Sequence, residues 1–190
     1  FTVPVSQFCC TDIPIPDEVV YRINLAWIND LAELEKLLKK YSKHDIFLDL
    51  PIRRIKPPHN FYNFDKIIPF IFKYPNIRYL AISNVDSSEN LDEFLKLLPD
   101  SVILIPKIES LNGILNIEQI TKKLPYQEKI IMLDHDDLFS DLLKNENNFT
   151  NFKKYFTQLV EFCNGNNIKL LRTIGVVFSD DEKRVTQYIG

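Results

Sequence analysis

The chain has 190 residues, enough for one domain with a hydrophobic core and fewer than the roughly 250 residues of an ordinary β/α barrel. With 45% hydrophobic and 26% charged residues, the composition excludes disordered and fibrous proteins. The net charge of -3 provides no basic surface, so we expect no nucleic-acid partner. No uncharged apolar run approaches about 18 residues, so we expect no membrane-spanning segment.

Apolar segments alternate with amphipathic ones, and this alternation predicts β-α units with a parallel sheet. Seven strands are predicted, at 2–8, 21–27, 45–50, 78–85, 102–108, 129–133 and 168–178, with a less clear eighth at 185–189. Helices are predicted at 29–41, 60–74, 87–98, 112–124 and 151–164. Because proline interrupts helices, Pro69 is expected to kink the second helix or to mark its start.

Several predicted strands end in polar or charged residues, which is unusual for buried strands. In a β/α barrel the active site is built at the C-terminal ends of the strands. We therefore predict an α/β fold, a compact TIM (β/α) barrel, complete or incomplete, of about seven to eight parallel strands, in a single domain over 1–190. The strand-end residues are Arg22, Asn24, Asp49, Lys107, Glu109, Asp134, Asp136 and Asp137.

The acidic residues of this group suggest a site for a divalent cation. Mg²⁺ or Mn²⁺ needs two or more carboxylates with oxygens at about 2.1 Å, and Glu109 and Asp137 end consecutive strands. The alternative for Glu109 is a buried salt bridge to Lys107 or to a neighbouring arginine. Asp134, Asp136 and Asp137 crowd like charges, which raises a pKa or recruits a cation. For Asp136, as for Asp141, a solvated loop is the favoured interpretation.

Four further residues are candidates for contact with a substrate. Lys107 could stabilise an enolate or hold a phosphate, or it could simply pair with Glu109. Arg22 suits a carboxylate or phosphate because its guanidinium forms paired hydrogen bonds. Thr173 could hydrogen-bond a substrate, and His135, between two aspartates, is a candidate proton carrier.

The cysteines indicate a reducing compartment. Cys9, Cys10 and Cys163 have neither the spacing of metal ligands nor that of a disulfide framework. Adjacent Cys9 and Cys10 could form a redox pair, but a vicinal disulfide is strained and two buried thiols are favoured. We therefore predict a cytoplasmic protein.

The order of the strand-end motifs resembles that of the pyruvate kinase barrel over roughly residues 20–178. The most specific motif is Pro-Lys-Ile-Glu at 106–109, followed by Asp-Leu at 137–138 on the next unit. Such motifs are also similar to those of the wider phosphoenolpyruvate/pyruvate superfamily, including HpcH-type aldolases and the citrate lyase β-chain. The matching segments are 22–25, 47–56, 80–85, 105–110 and 131–138.

The resemblance implies roles for residues at matching positions. Glu109 and Asp137 would bind the divalent cation, while Lys107 would stabilise the transferring phosphoryl group and the enolate. The other implied roles are phosphate contact for Arg22, monovalent cation (K⁺) binding for Asn24 and Asp49, and proximity to the proton-transfer site for Thr173. No organic cofactor is implied.

The chain also departs from the pyruvate kinase pattern, lacking its lid and C-terminal domains. The glycines of the family's Gly-Asp-Leu-Gly are replaced in 136–139, so phosphoryl transfer to ADP is not expected. We expect instead a metal-dependent enzyme that acts on a small 2-oxo acid or its enol form, in an aldol or retro-aldol (lyase) reaction. The alternatives are a non-catalytic barrel that serves as a binding or assembly module, and a phosphotransferase whose lid comes from another chain. The sequence also leaves open whether the ligand is similar to phosphoenolpyruvate and whether the chain forms a homo-oligomer.

Overall fold

The computed structural model describes residues 2–4, 19–53, 60–146, 150–172, 174–178 and 183–187. The chain divides into two compact units. The first unit is drawn from Phe1–Ala81, Leu97–Ile103 and Ile174–Gly190, and the second from Ile82–Lys96 and Leu104–Thr173. Within the described ranges, no helix combines the length and apolar character of a membrane span.

Four strands of the first unit lie in one sheet, and helices separate β2 from β3 and β3 from β4. The strands lie in the order β1-β2-β3-β4, and the pairs β1–β2 and β2–β3 are parallel. This register places Asn24 beside Asp49 at the ends of β2 and β3. The elements are β1 (Thr2–Pro4), β2 (Val20–Asn24), α1 (Leu31–Lys40), β3 (Ile46–Leu50), α2 (Phe64–Lys73) and β4 (Ile77–Ile82).

Helix α1 follows the predicted pattern closely. The Asp30 carboxylate accepts a hydrogen bond from the Glu33 backbone N–H at 2.7 Å, which caps the first turn. Leu34 and Leu38, one turn apart, are fully buried. In α2, Pro69 was expected either to kink the helix or to mark its start; it lies inside the helix, so it does not mark the start.

The second unit repeats the alternation of parallel strands and helices. Its strands β5 (Ile103–Ile108), β6 (Ile130–Leu133) and β7 (Lys169–Arg172) lie in that order. Both pairs are parallel, with Lys107 opposite Met132 and Ile130 opposite Lys169. The helices are α3 (Asp92–Leu97), α4 (Leu111–Leu115), α5 (Ile117–Lys123), α6 (His135–Glu146) and α7 (Thr150–Gly165).

Helix α6 was missed by the sequence analysis, which interpreted its acidic start as a loop. The Asp134 side chain accepts a hydrogen bond from the Asp137 backbone N–H at 3.3 Å, as an N-terminal cap does. Asp136 and Asp137 lie in the first turn, where the helix dipole favours negative charge. Leu138 and Leu142, four residues apart, are fully buried. The aspartates that suggested a loop therefore start a helix.

The α/β alternation and parallel strands are confirmed, but a complete TIM barrel is not shown by the described residues. The predicted strand 168–178 is two strands: β7 belongs to the second unit and β8 (Ile174–Phe178) to the first. Strand β8 pairs antiparallel with β9 (Lys183–Gln187) in a separate two-stranded sheet. The predicted eighth strand therefore exists, but it does not extend a parallel sheet. The prediction of a single domain is not tested.

Candidate metal centre

Strand β5 delivers two charged side chains into the interior of the second unit. Lys107 and Glu109 are alternate residues, so they point to the same face. They are 3% and 5% exposed, and the Lys107 Nζ lies 2.9 Å from Glu109 Oε1. The Lys107 Nζ also donates to the Ser83 hydroxyl at 3.4 Å. The salt bridge to Lys107, which was the alternative to metal binding by Glu109, is therefore present in the structure.

The loop after β4 fixes the second oxygen of Glu109. The Asn84 backbone N–H donates to Glu109 Oε2 at 2.7 Å, and the Val85 N–H donates to the Lys107 carbonyl at 3.2 Å. Asn84 has φ of 54°, in the left-handed region that asparagine tolerates better than most residues. Gly113 in α4 packs closely here, since a Cβ at that position would lie 2.7 Å from the Val85 carbonyl oxygen.

Two aspartates from the start of α6 complete an acidic group around Glu109. Ile108 is opposite Leu133 in the parallel pairing, so Glu109 and Asp134 follow as the next residues of their strands. The Asp134 N–H donates to the Ile108 carbonyl at 3.4 Å, which holds the start of α6 against β5. One carboxylate oxygen from each of Glu109, Asp134 and Asp137 lies within 4.8 Å of the others. We call these three residues the acidic triad.

The electrostatics of Glu109 combine opposing influences. Burial raises the pKa of its carboxyl above the ordinary value of 4.5, and the nearby Asp134 charge raises it further. The Lys107 ammonium and the Asn84 N–H act in the opposite direction, but burial is the largest influence. A divalent cation would relieve the like-charge repulsion within the acidic triad, since hard cations prefer carboxylate oxygens.

In the first unit, the predicted residues Arg22 and Asp49 form a buried ion pair. Arg22 is 8% exposed and Asp49 is 1% exposed, and the guanidinium donates directly to the Asp49 carboxylate. Asn24 accepts a hydrogen bond from the Ala26 backbone N–H at 3.0 Å, which starts a short 3₁₀ helix. The roles predicted for these residues in phosphate and monovalent-cation binding stay predictions.

The remaining predicted residues are His135, Thr173 and the three cysteines. His135 is the first residue of α6, and its ring packs beside Phe156 and Phe152, with centroid distances of 5.4 and 6.4 Å. Its role as a proton carrier stays a prediction. Thr173, Cys9 and Cys10 lie outside the described residues. Cys163 is buried, and burial raises the pKa of its thiol to about 11.

Three contributors to this centre were not predicted as site residues. Asp134 was recognised as a strand-end carboxylate, but only Glu109 and Asp137 were predicted to bind the metal. The position of Asp134 directly after the apolar strand β6 was the available signal. Ser83 and Asn84 carried no such signal, because a serine and an asparagine after a strand are common in loops.

A substitution at Asn84 tests how the backbone of the centre is held. Alanine and glycine both remove the side chain, but only alanine keeps a Cβ that strains the left-handed conformation. We expect the Asn84→Ala chain to be about 1 kcal/mol less stable than Asn84→Gly. Urea unfolding followed by circular dichroism measures this difference. Equal stability of the two variants would contradict the assigned backbone conformation.

Comparisons with known proteins were made for both sequence and structure. No protein-family model matches the chain, and no curated protein matches it either. Among solved structures, the chain is similar to RipC from Yersinia pestis, with a TM-score of 0.59 and 18% sequence identity. The alignment covers 85% of this chain and 72% of RipC. At this identity, the likeness shows a shared fold alone.

These comparisons correct the predicted family. Neither a family model nor a curated protein supports a pyruvate-kinase-like barrel of the phosphoenolpyruvate/pyruvate superfamily, and the likeness to RipC shows only an α/β fold. The motifs behind the prediction are short segments with polar or charged residues at strand ends. Any run of parallel β-α units collects such residues at strand ends, so their order is weaker evidence of family than it appeared.

Proposed function

We propose that the second unit binds Mg²⁺ or Mn²⁺ through the acidic triad and uses the cation on a small 2-oxo acid or its enol form. The observation that carries this proposal is the approach of three carboxylate oxygens within 4.8 Å of one another. Like charges so close repel one another unless a proton or a cation neutralises them. Lys107, which pairs with Glu109, adds a buried positive charge beside the triad.

The chemistry of 2-oxo acids matches this combination of charges. The carboxylate and oxo oxygens of such a compound would bind a divalent cation held by the acidic triad, and the cation would supply Lewis-acid polarisation of the oxo group. In a retro-aldol reaction of a hydroxylated 2-oxo acid, a base removes the hydroxyl proton, the carbon–carbon bond breaks, an aldehyde leaves and the bonding pair stays on the 2-oxo acid fragment as an enolate. The Lys107 ammonium would stabilise the charge of this enolate. His135, one residue from Asp134, is the candidate for moving a proton. An enzyme of the lyase class is therefore the function that we propose.

A second function, a cation-binding module without catalysis, is favoured by one observation. The Lys107–Glu109 pair satisfies its own charges without any ligand, at a distance of 2.9 Å. A module of this kind would bind the cation for structural or assembly purposes. The two proposals differ in whether a bound cation activates a small ligand.

Proton exchange on pyruvate distinguishes these proposals. With Mg²⁺ and the wild-type chain in D₂O, the methyl protons of pyruvate are expected to exchange faster than with Mg²⁺ alone, as followed by proton NMR. Asp137→Asn is expected to remove this acceleration. Cation binding without exchange would support the module, and an absence of cation binding would reject both functions.

Cation binding is expected to weaken as the pH falls, because protons compete for Glu109. The pKa of this carboxyl is raised by burial, so the proton is retained at pH values above 4.5. Mn²⁺ titrations between pH 7.5 and pH 5 measure the effect. An affinity unchanged across that interval would contradict the expectation.

Three further predictions stay proposals alongside the function. The TIM (β/α) barrel, complete or incomplete, is supported only by the parallel strands and intervening helices within each unit. A cytoplasmic location and a homo-oligomer rest on the sequence interpretation. An experimental structure and sedimentation of the purified chain would test the first and the last of these.

A further inference from the structure

Lys107 differs from the lysines of exposed ion pairs in the same unit. The side chains of Lys107 and Glu109 are 4% and 3% exposed, whereas those of Lys122 and Glu118 are 74% and 64% exposed. A buried ammonium costs free energy unless a counter-charge stays beside it. Lys107 therefore needs a negative partner at all times, and Glu109 is the partner in this structure.

The proposed cation site uses the same Glu109 carboxylate that pairs with Lys107. Oxygen Oε1 of Glu109 faces the Lys107 ammonium, and Oε2 accepts the Asn84 N–H. A divalent cation must approach a carboxylate oxygen to about 2.1 Å. The cation and the ammonium would then be like charges on one buried carboxylate, so they compete for it.

We infer that Lys107 is an exchangeable counter-cation. It neutralises Glu109 before the divalent cation binds, and it turns to an anionic group of the ligand once the cation has taken the carboxylate. This inference rests on the proposed cation site. The flexible four-carbon stem of lysine permits the turn, and the Ser83 hydroxyl at 3.4 Å from Nζ offers a hydrogen-bond acceptor during it.

The exchange of Lys107 determines the class of ligand and couples its binding to that of the cation. The ligand carries at least one oxyanion beside the oxygens that bind the cation, because Lys107 would otherwise be left buried without a counter-charge. Cation and ligand then strengthen each other's binding by the same factor, as thermodynamic linkage requires. Removing the lysine charge removes the competition and most of this coupling.

Mn²⁺ binding with and without oxalate tests the exchange. Oxalate serves as the probe because it is a small dianion that chelates Mn²⁺. For Lys107→Gln we expect Mn²⁺ alone to bind about 10-fold tighter than to wild type, and the enhancement by oxalate to fall by about 10-fold. Lys122→Gln is the matched control, with the same charge change at an exposed pair, and is expected to equal wild type.

A measurement on the wild-type chain serves if the variant does not fold. Acetylation of Lys107 by a water-soluble ester is expected to speed up when Mg²⁺ is added and to slow again with oxalate, as peptide mass spectrometry would show. The rate at Lys122 should not respond to either addition. A rate of Lys107 acetylation that does not change when Mg²⁺ is added would contradict the proposed exchange.

The outcomes separate this inference from the proposed cation site. Mn²⁺ binding by wild type, with unchanged or weaker binding to Lys107→Gln, rejects the exchange alone. Failure of wild type to bind Mn²⁺ rejects the site and the exchange together. Tighter binding by Lys107→Gln with a reduced oxalate effect supports both.

Discussion

Replacing Arg22 by methionine is expected to lower the free energy of unfolding by about 3–5 kcal/mol. The substitution keeps most of the side-chain volume but leaves the Asp49 carboxylate, 1% exposed, without the guanidinium that neutralises it. Removal of one partner from a buried pair costs much more than the pair contributes, because the remaining charge is desolvated. Urea unfolding measures the change, and Trp27 fluorescence reports on the same unit as the pair.

A double substitution shows whether the loss comes from the uncompensated charge. Arg22→Met with Asp49→Leu replaces the ion pair by apolar side chains and should recover most of the lost stability. Lys39→Met is the control, since Lys39 forms an ion pair with Glu35 while 65% exposed, and its unfolding midpoint should match wild type. An Arg22→Met chain as stable as wild type would show that Asp49 is neutralised in another way.

Much of the fold could be predicted because its signals are local. The leucines of α1 repeat at helical spacing, and Asp30 is a typical capping residue, so that helix was placed to within two residues. The apolar runs of β3, β5 and β6 were placed equally well, since buried parallel strands are continuous apolar segments. Patterns of this kind need no knowledge of the rest of the molecule.

Other features of the fold depend on contacts that the sequence does not display. The predicted strand 168–178 contains two strands in different sheets. In sequence, the polar residues Arg172 and Thr173 stand at the division, but nothing local indicates that the chain changes sheet after them. No helix was predicted between 134 and 146, and a solvated loop was the favoured interpretation for Asp136 and Asp141. The capping by Asp134, which makes those charges compatible with a helix, becomes visible only in three dimensions.

The geometry of the candidate site could likewise be predicted only where it depends on local signals. Alternation along a strand places Lys107 and Glu109 on one face without further information, and the structure confirms that they are paired. The neighbouring position of Asp134 needed the register between β5 and β6. The left-handed backbone of Asn84, which points an N–H at Glu109, has no sequence signal strong enough to distinguish it from other loop asparagines.

Neutralising any one member of the acidic triad is expected to weaken Mn²⁺ binding by about 100-fold, because cation affinity depends strongly on the number of charged ligands. Asp134→Asn and Asp137→Asn are the informative variants. Both leave the Lys107–Glu109 pair intact, so a loss of affinity does not come from a disrupted core. Glu109→Gln should show the same loss, together with lower stability, since it removes the partner of a buried ammonium.

Asp136→Asn provides the matched control for these titrations. Asp136 lies between the two aspartates of the acidic triad in sequence, but it is exposed and does not belong to the triad. The variant carries the same change of charge on the same first turn of α6, so it reproduces any general electrostatic effect on that helix. We expect its Mn²⁺ affinity to stay within about twofold of wild type. Equal losses in Asp136→Asn and Asp137→Asn would mean that the cation responds to the net charge of α6, and the acidic triad would then not be its binding site.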